Sequence, residues 1–162
     1  MSDARVEVAA AESLRRHGMA LPEAWAELLS RAAAAVLDHQ GVGEAELSLT
    51  LMDDVCMAEL NERWLGHVGP TDVLSFPLHA AGEPPAGDVY IGLEQAARQA
   101  DELGVPLDEE LVRLAVHGTL HVLGHDHPEG EGRETSAMWR TQESIVSRLL
   151  EGGEAAPGEG GV

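Results

Sequence analysis

The chain has 162 residues, which suits one domain burying roughly 70% of its unfolded surface. Its 44% hydrophobic content excludes a disordered chain, and no apolar run approaches the ~20 residues of a bilayer-crossing helix. A formal net charge of −19, from 29 acids against ten basic residues that are all arginine, argues against RNA or another nucleic acid as partner, although a local groove can be basic on an acidic protein.

The elements follow from periodicity and punctuation. Val6 and Val8 alternate within residues 5–10, a first strand. Leu21-Pro22 opens a helix over residues 22–39, with Trp25, Leu28, Leu29, Ala32 and Val36 on one stripe and Gly41 as its stop. Leu47, Leu49 and Leu51 alternate with polar residues over residues 46–52, a half-buried strand. Asp53 is a good N-cap for a helix to about Leu65, with Val55, Leu60 and Trp64 among its apolar positions. A loop at 66–71 leads to a strand over 73–78, which Pro77 places near a sheet edge. After the Gly- and Pro-rich loop 82–87 come a strand at 88–92 and a helix at 93–103 closed by Gly104. Pro106-Leu107-Asp108 starts a further helix whose body is 111–123 and whose stop is Gly124. A last amphipathic helix covers 131–150, and residues 151–162 read as a disordered acidic, Gly-rich tail. The expectation is a single α+β domain over residues 1–150, an α/β sandwich. It has a small mixed four-stranded sheet packed by about five helices, and the helix bearing His117 and His121 lies in its core. Cys56 is the single cysteine, so no internal disulfide can form. The start Met1-Ser2-Asp3-Ala4-Arg5 shows no secretory signal, and a cytoplasmic protein with no membrane partner is expected.

The chemistry concentrates in Leu114-Ala-Val-His117-Gly-Thr-Leu-His121-Val-Leu-Gly124-His-Asp-His127-Pro. His117 and His121 are four apart on a helix, so both project from one face, one turn apart. Gly124 ends the helix, and a left-handed residue there turns the chain back and lets His127 swing round as a third ligand. Three neutral imidazoles around one Zn2+ leave an open position, the arrangement of a catalytic site. From 8 His and 18 Gly in the chain, chance gives His-x3-His-x2-Gly-x2-His on the order of one time in 500. A closed four-ligand structural site using Asp126 or His125 is the alternative. The spacing matches the metalloprotease signature His-Glu-x-x-His-x-x-Gly-x-x-His, except that Gly118 stands where those enzymes carry their general base. A helical glycine costs about 1 kcal/mol relative to alanine; its expected benefit is close approach of backbone or substrate to the metal.

These residues resemble the YbeY family of bacterial endoribonucleases. The family's His-Gly-x-Leu-His-x-x-Gly-(Tyr or His)-Asp-His motif reads here as His117-Gly118-Thr119-Leu120-His121-Val122-Leu123-Gly124-His125-Asp126-His127. A second block is Pro70-Thr71-Asp72-Val73-Leu74-Ser75-Phe76-Pro77, preceded by Leu60-Asn61 and followed by Gly87-Asp88-Val89. The resemblance implies a single-strand-specific, zinc-dependent endoribonuclease that matures the 3′ end of small-subunit ribosomal RNA and takes part in ribosome quality control. It implies His117, His121 and His127 as metal ligands. Its implied partners are single-stranded RNA, the ribosome or small-subunit ribosomal proteins, and the GTPase Era. One departure stands out. Leu65 occupies the place of a family arginine that lines the RNA cleft, and Arg63 stands about 200° away around an α-helix.

The mechanism expected from this is a zinc-bound water acting as nucleophile, or as the base that activates a ribose 2′-hydroxyl. Arg63 is a candidate for phosphate contact. Asp126 is a candidate for orienting an imidazole, or else caps the turn. Ser75 and Thr71 either offer hydroxyls to phosphate or belong to a wall strand with Phe76 in the core, the second being favoured. His67 and His79 read as solvated loop residues, and Trp64 and Trp139 as packing residues. Two other functions are open: a metal-dependent peptidase or phosphoesterase, and a non-catalytic ribosome-assembly factor stapled by zinc and docked to basic ribosomal proteins.

Overall fold

Alternating apolar side chains give each strand one face to bury, and the register stacks those faces. The computed structural model describes residues 3–125 and 137–155. Strands β1 (Asp3–Ala10), β2 (Glu44–Met52), β3 (Val73–Pro77) and β4 (Ala86–Gly92) form one sheet in the order β1-β2-β4-β3. β2 runs parallel to both β1 and β4, and β3 adds antiparallel to β4 at the edge, where Pro77 costs no interior hydrogen bond. Leu49 faces Val89 and Leu51 faces Ile91 across the β2–β4 pair, and all four are 1% exposed or less. Burying each such side chain is worth about 1.5–3 kcal/mol.

The described helices are α1 (Glu12–Arg16), α2 (Glu23–His39), α3 (Asp54–Leu60), α4 (Leu93–Leu103), α5 (Leu107–Val122) and α6 (Ala137–Ala155). That is one more than the sequence led us to expect. The addition is α1, whose five residues bury only Leu14 and so carry no periodic signal. α5 is the centre of the fold, touching α2, α4, α6, β3 and β4. Leu111, Val112, Ala115, Val116 and Leu120 are fully buried within it. The predicted core placement of this helix is therefore observed. α6 is described from Ala137 and runs to Ala155, beyond the predicted boundary at 150; residues 131–136 and 156–162 lie outside the described residues. No described helix is long and apolar enough to cross a membrane.

The third predicted helix needs correction. Asp53 caps it as expected, its Oδ1 accepting from the Cys56 N–H at 2.9 Å. After Leu60, however, the chain widens into a π-helical turn over Asn61–Leu65, closed by Gly66 in the left-handed region. The buried residues are Met57 and Asn61, while Val55 is 68% and Trp64 62% exposed. A π-turn carries more residues per turn than an α-helix, so Trp64 leaves the stripe that a 3.6-residue period assigns to it. Phe76 also departs from the expected core position. It is half-buried on the sheet face opposite Ser75, with edge-to-face contacts to Trp64 and Tyr90 at centroid distances of 6.4 and 5.8 Å.

Candidate metal centre and cleft

The helix spacing read from the sequence produces a convergent pair. His117 and His121 lie on one face of α5, with ring centroids 4.6 Å apart and Nε2 atoms 3.1 Å apart. Two nitrogens each at about 2.0–2.1 Å from one tetrahedral ion are separated by roughly 3.3 Å. The pair therefore fits a shared metal ion. His117 is 8% exposed and His121 half-buried. Among the described residues no group of three or more His, Cys, Asp or Glu side chains gathers to hold a metal. The third predicted ligand, His127, and the candidate Asp126 lie outside the described residues.

What directs the chain onward from the pair is visible. Gly124 has φ +99°, its N–H donates to the His121 carbonyl at 2.9 Å, and the His125 N–H donates to the Leu120 carbonyl at 3.0 Å. These two bonds form a Schellman motif, which reverses the chain at a residue that carries no Cβ. His125 then turns toward α2, with Nε2 2.7 Å from Gln40 Oε1. That contact engages the ring that a four-histidine alternative would have required.

Gly118 faces the sheet. A Cβ there would lie 2.5 Å from Val89 Cγ1 and 3.1 Å from both Ser75 Oγ and Val73 Cγ2. The space opened by the missing side chain is filled by β3 and β4, so the backbone approach expected at this glycine is an approach of α5 to the sheet, not of substrate to metal. No carboxylate fits at position 118, which removes the general base of the peptidase signature. Ser75 Oγ donates to the Gly118 carbonyl at 3.0 Å. Its hydroxyl is spent on fixing the wall strand to the helix that carries the histidine pair.

The pair opens into a cleft of about 680 Å³ lined by residues that include Leu65, His67, Thr71, Ser75, His117 and His121. The block around Thr71 thus serves as a wall. His67, expected as a solvated loop residue, borders this cleft. His79 is half-buried, and its Nδ1 accepts from the Ala86 N–H at 3.0 Å. Leu65 lines the cleft, whereas Arg63 is exposed and is not among its described lining residues. Asn61 is 5% exposed and its Nδ2 donates to the Gly69 carbonyl at 2.9 Å, tying the loop that carries His67 back to the π-turn.

Behind His117 lies a polar group that the motif gave no hint of. Gln142 on α6 is 2% exposed, with Oε1 2.6 Å from His117 Nδ1 and Nε2 2.9 Å from Glu143 Oε2. Arg113 reaches Glu143 through Nε at 2.9 Å and a terminal nitrogen at 3.2 Å, and also contacts Glu110 at 3.1 Å and Glu109 at 3.2 Å. Burial alone would depress the Arg113 pKa; hydrogen bonds and charge from Glu143, then Glu109 and Glu110, more than reverse this, so the guanidinium stays charged. Burial pushes the Glu110 carboxyl up against the opposing pull of Arg113. Trp139, Gln142, Arg113 and Asp72 border a second cavity of about 270 Å³ on the far side of His117.

Comparison with known proteins finds a family model and several relatives. The family model described as "Endoribonuclease YbeY" matches residues 13–150. Relatives of that description include one from Pelotomaculum thermopropionicum, 46% identical over 81% of this chain and 90% of its own. Another, from Micrococcus luteus, is 41% identical over 91% of this chain and 96% of its own. The solution structure of a Thermotoga maritima protein superposes with a TM-score of 0.64, covering 98% of this chain and 99% of that one at 22% identity, and it supports the fold.

Proposed function

The chain belongs to the YbeY endoribonuclease family, and on that premise we propose that it cuts single-stranded RNA at a zinc ion held by His117, His121 and His127. It is an endoribonuclease, a hydrolase of phosphodiester bonds whose substrate is RNA. Small-subunit ribosomal RNA is the proposed target, with 3′-end maturation and ribosome quality control in the cytoplasm as the setting. The ribosome, its small-subunit proteins and the GTPase Era are the proposed partners. The single observation that supports the metal reading is the 3.1 Å separation of two Nε2 atoms facing the cleft.

When bound there, zinc supplies Lewis acidity toward the phosphate and lowers the pKa of water toward neutrality. The chain's own residues do the rest. His117 and His121 present their Nε2 atoms from a helix anchored by its packing against α2, α4, α6, β3 and β4. Ser75 holds that helix to the cleft wall. Leu65 and Thr71 shape the groove through which a single strand would pass. Besides the histidine pair, the described titratable groups lining the cleft are His67, Asp72 and His125. His125 is engaged by Gln40, while Asp72 accepts from Gln99 Nε2 at 3.2 Å. A proton leaving the attacking group therefore has His67 and Asp72 as candidate acceptors among the described residues of the wall.

The test is metal analysis paired with cleavage of single-stranded RNA, with and without chelator. His117→Ala and His121→Ala are expected to lose zinc and cleavage together while remaining folded, since the apolar core around α5 does not depend on the ion. Cleavage at the wild-type rate by a metal-free variant would overturn the proposal. Unfolding on chelation would instead favour zinc as a structural staple.

A further inference from the structure

The contact between Gln142 and His117 has a direction, and the neighbours of Gln142 determine it. A side-chain amide is nearly symmetric in shape, so its two ends are distinguished only by their hydrogen-bond partners. Gln142 has two such partners, His117 Nδ1 at 2.6 Å and Glu143 Oε2 at 2.9 Å. Glu143 is gripped at both oxygens by Arg113, with Nε at 2.9 Å from Oε2 and the terminal nitrogen at 3.2 Å from Oε1. A carboxylate in such a fork accepts hydrogen bonds and donates none. The NH2 end of Gln142 must therefore face Glu143, and its oxygen must face His117. An amide oxygen cannot donate. The hydrogen in that bond belongs to His117 Nδ1, which leaves the lone pair on Nε2, 3.1 Å from the Nε2 of His121.

We propose that Gln142 is a positioning residue, its amide oriented by the Arg113–Glu143 pair so that His117 is held as the Nδ1–H tautomer, which puts the ligating lone pair on Nε2. This rests on His117 being a metal ligand, the reading given above. Gln142 is 2% exposed, so its amide is committed to these two partners and not to bulk water. Arg113, with 18% of its side chain exposed, is half enclosed at the same helix junction, linking α5 to α6 through Glu143. An amide achieves the orientation that a carboxylate gives metal-bound histidines elsewhere, and it does so without adding negative charge behind the ring. In a chain of net charge −19 that choice limits repulsion of a phosphate approaching the front.

The experiment uses the full chain. Long-range 1H–15N NMR after removal of metal reads the tautomer of His117, and titration with Zn2+ against a competing chelator reads affinity. Wild-type His117 is expected to carry its hydrogen on Nδ1. Gln142→Met, similar in size but without the acceptor, is expected to lose that preference and to bind Zn2+ about 10–100-fold more weakly. A wild-type His117 protonated on Nε2, or a folded Gln142→Met chain with unaltered tautomer and zinc affinity, overturns the proposal. Should Gln142→Met fail to fold, Glu143→Gln at the partly exposed end of the relay carries the test. Freeing the amide to flip should mix the two tautomers, and a purely Nδ1–H population would count against the proposal. Full zinc affinity in His117→Ala would sink the ligand reading instead, leaving the tautomer measurement on the wild-type chain to stand by itself.

Discussion

The two sides of the cleft are built on opposite terms. One side is α5, where every residue from Leu114 to Leu120 is buried and the histidine pair is held between a sheet and three helices. The other is the π-turn at Asn61–Leu65 and the loop behind it, where Trp64 is 62%, Leu65 49% and Val68 89% exposed. The first side fixes atoms to fractions of an ångström by packing; the second presents surface. Ligand geometry belongs on the rigid side, and recognition of a long flexible substrate belongs on the side that water already wets.

The contrast can be broken most forcibly on the rigid side. His121→Ala should cut RNA cleavage by more than about 100-fold, beyond what the loss of a residue behind the ligand costs, with little change in melting temperature, as read by cleavage assay and calorimetry. Next in size is Gly118→Ala, where a Cβ would meet Val89 Cγ1 at 2.5 Å. Overpacking of this kind costs about 1–3 kcal/mol, which lowers Tm by about 5 °C in a domain of this size. Thermal unfolding at the wild-type Tm would show that α5 is free to move off the sheet, and the rigidity argument would fail.

On the exposed side the effects shrink. Asp53→Ala removes the cap of α3 and should cost about 1 kcal/mol in chemical denaturation. The Cys56 N–H bond, against a smaller opposing push from burial, holds the Asp53 carboxyl below its usual 3.8. A lowered folded-state pKa gives stability that is complete above 3.8 and is lost as pH falls through the folded value. The difference between wild type and Asp53→Ala should accordingly narrow below that pH. Leu65→Arg, which restores the charge expected at this position in the family, should tighten RNA binding by up to about fivefold, the scale of one exposed charge contact, with Tm unchanged. Trp64→Ala should change stability by less than about 0.5 kcal/mol; a larger loss would mean that the exposed side is packed more firmly than its accessibility implies.

What could be read from the sequence divides along the same line. The strands, the α5 boundaries and the convergence of His117 with His121 follow from periods of two and 3.6 residues and from glycines at helix ends, all local rules. The π-turn escaped because one additional residue per turn leaves no mark in composition, and Trp64, read as a packing residue, is exposed with it. Helix α1 escaped because a single buried leucine has no period. Gln142 was invisible for another reason. It lies 25 residues from His117 and meets it only after α6 packs on α5, and glutamine in an amphipathic helix ordinarily reads as solvent-facing. Arg63 was a candidate for its charge alone; among the described residues it is Leu65 that lines the cleft.

One property of the cleft bears on how substrate is selected. No arginine is among its described lining residues, and Arg113, the most enclosed described cation near the metal site, is consumed by three carboxylates. Binding of a polyanion to such a channel releases few condensed counterions, so the logarithm of affinity should fall only shallowly with the logarithm of salt, unlike a protein that neutralises six or more phosphates. On the proposed mechanism, the strand would be chosen by whether its backbone can bend one phosphate toward the histidines, a demand on flexibility that a stacked duplex does not meet.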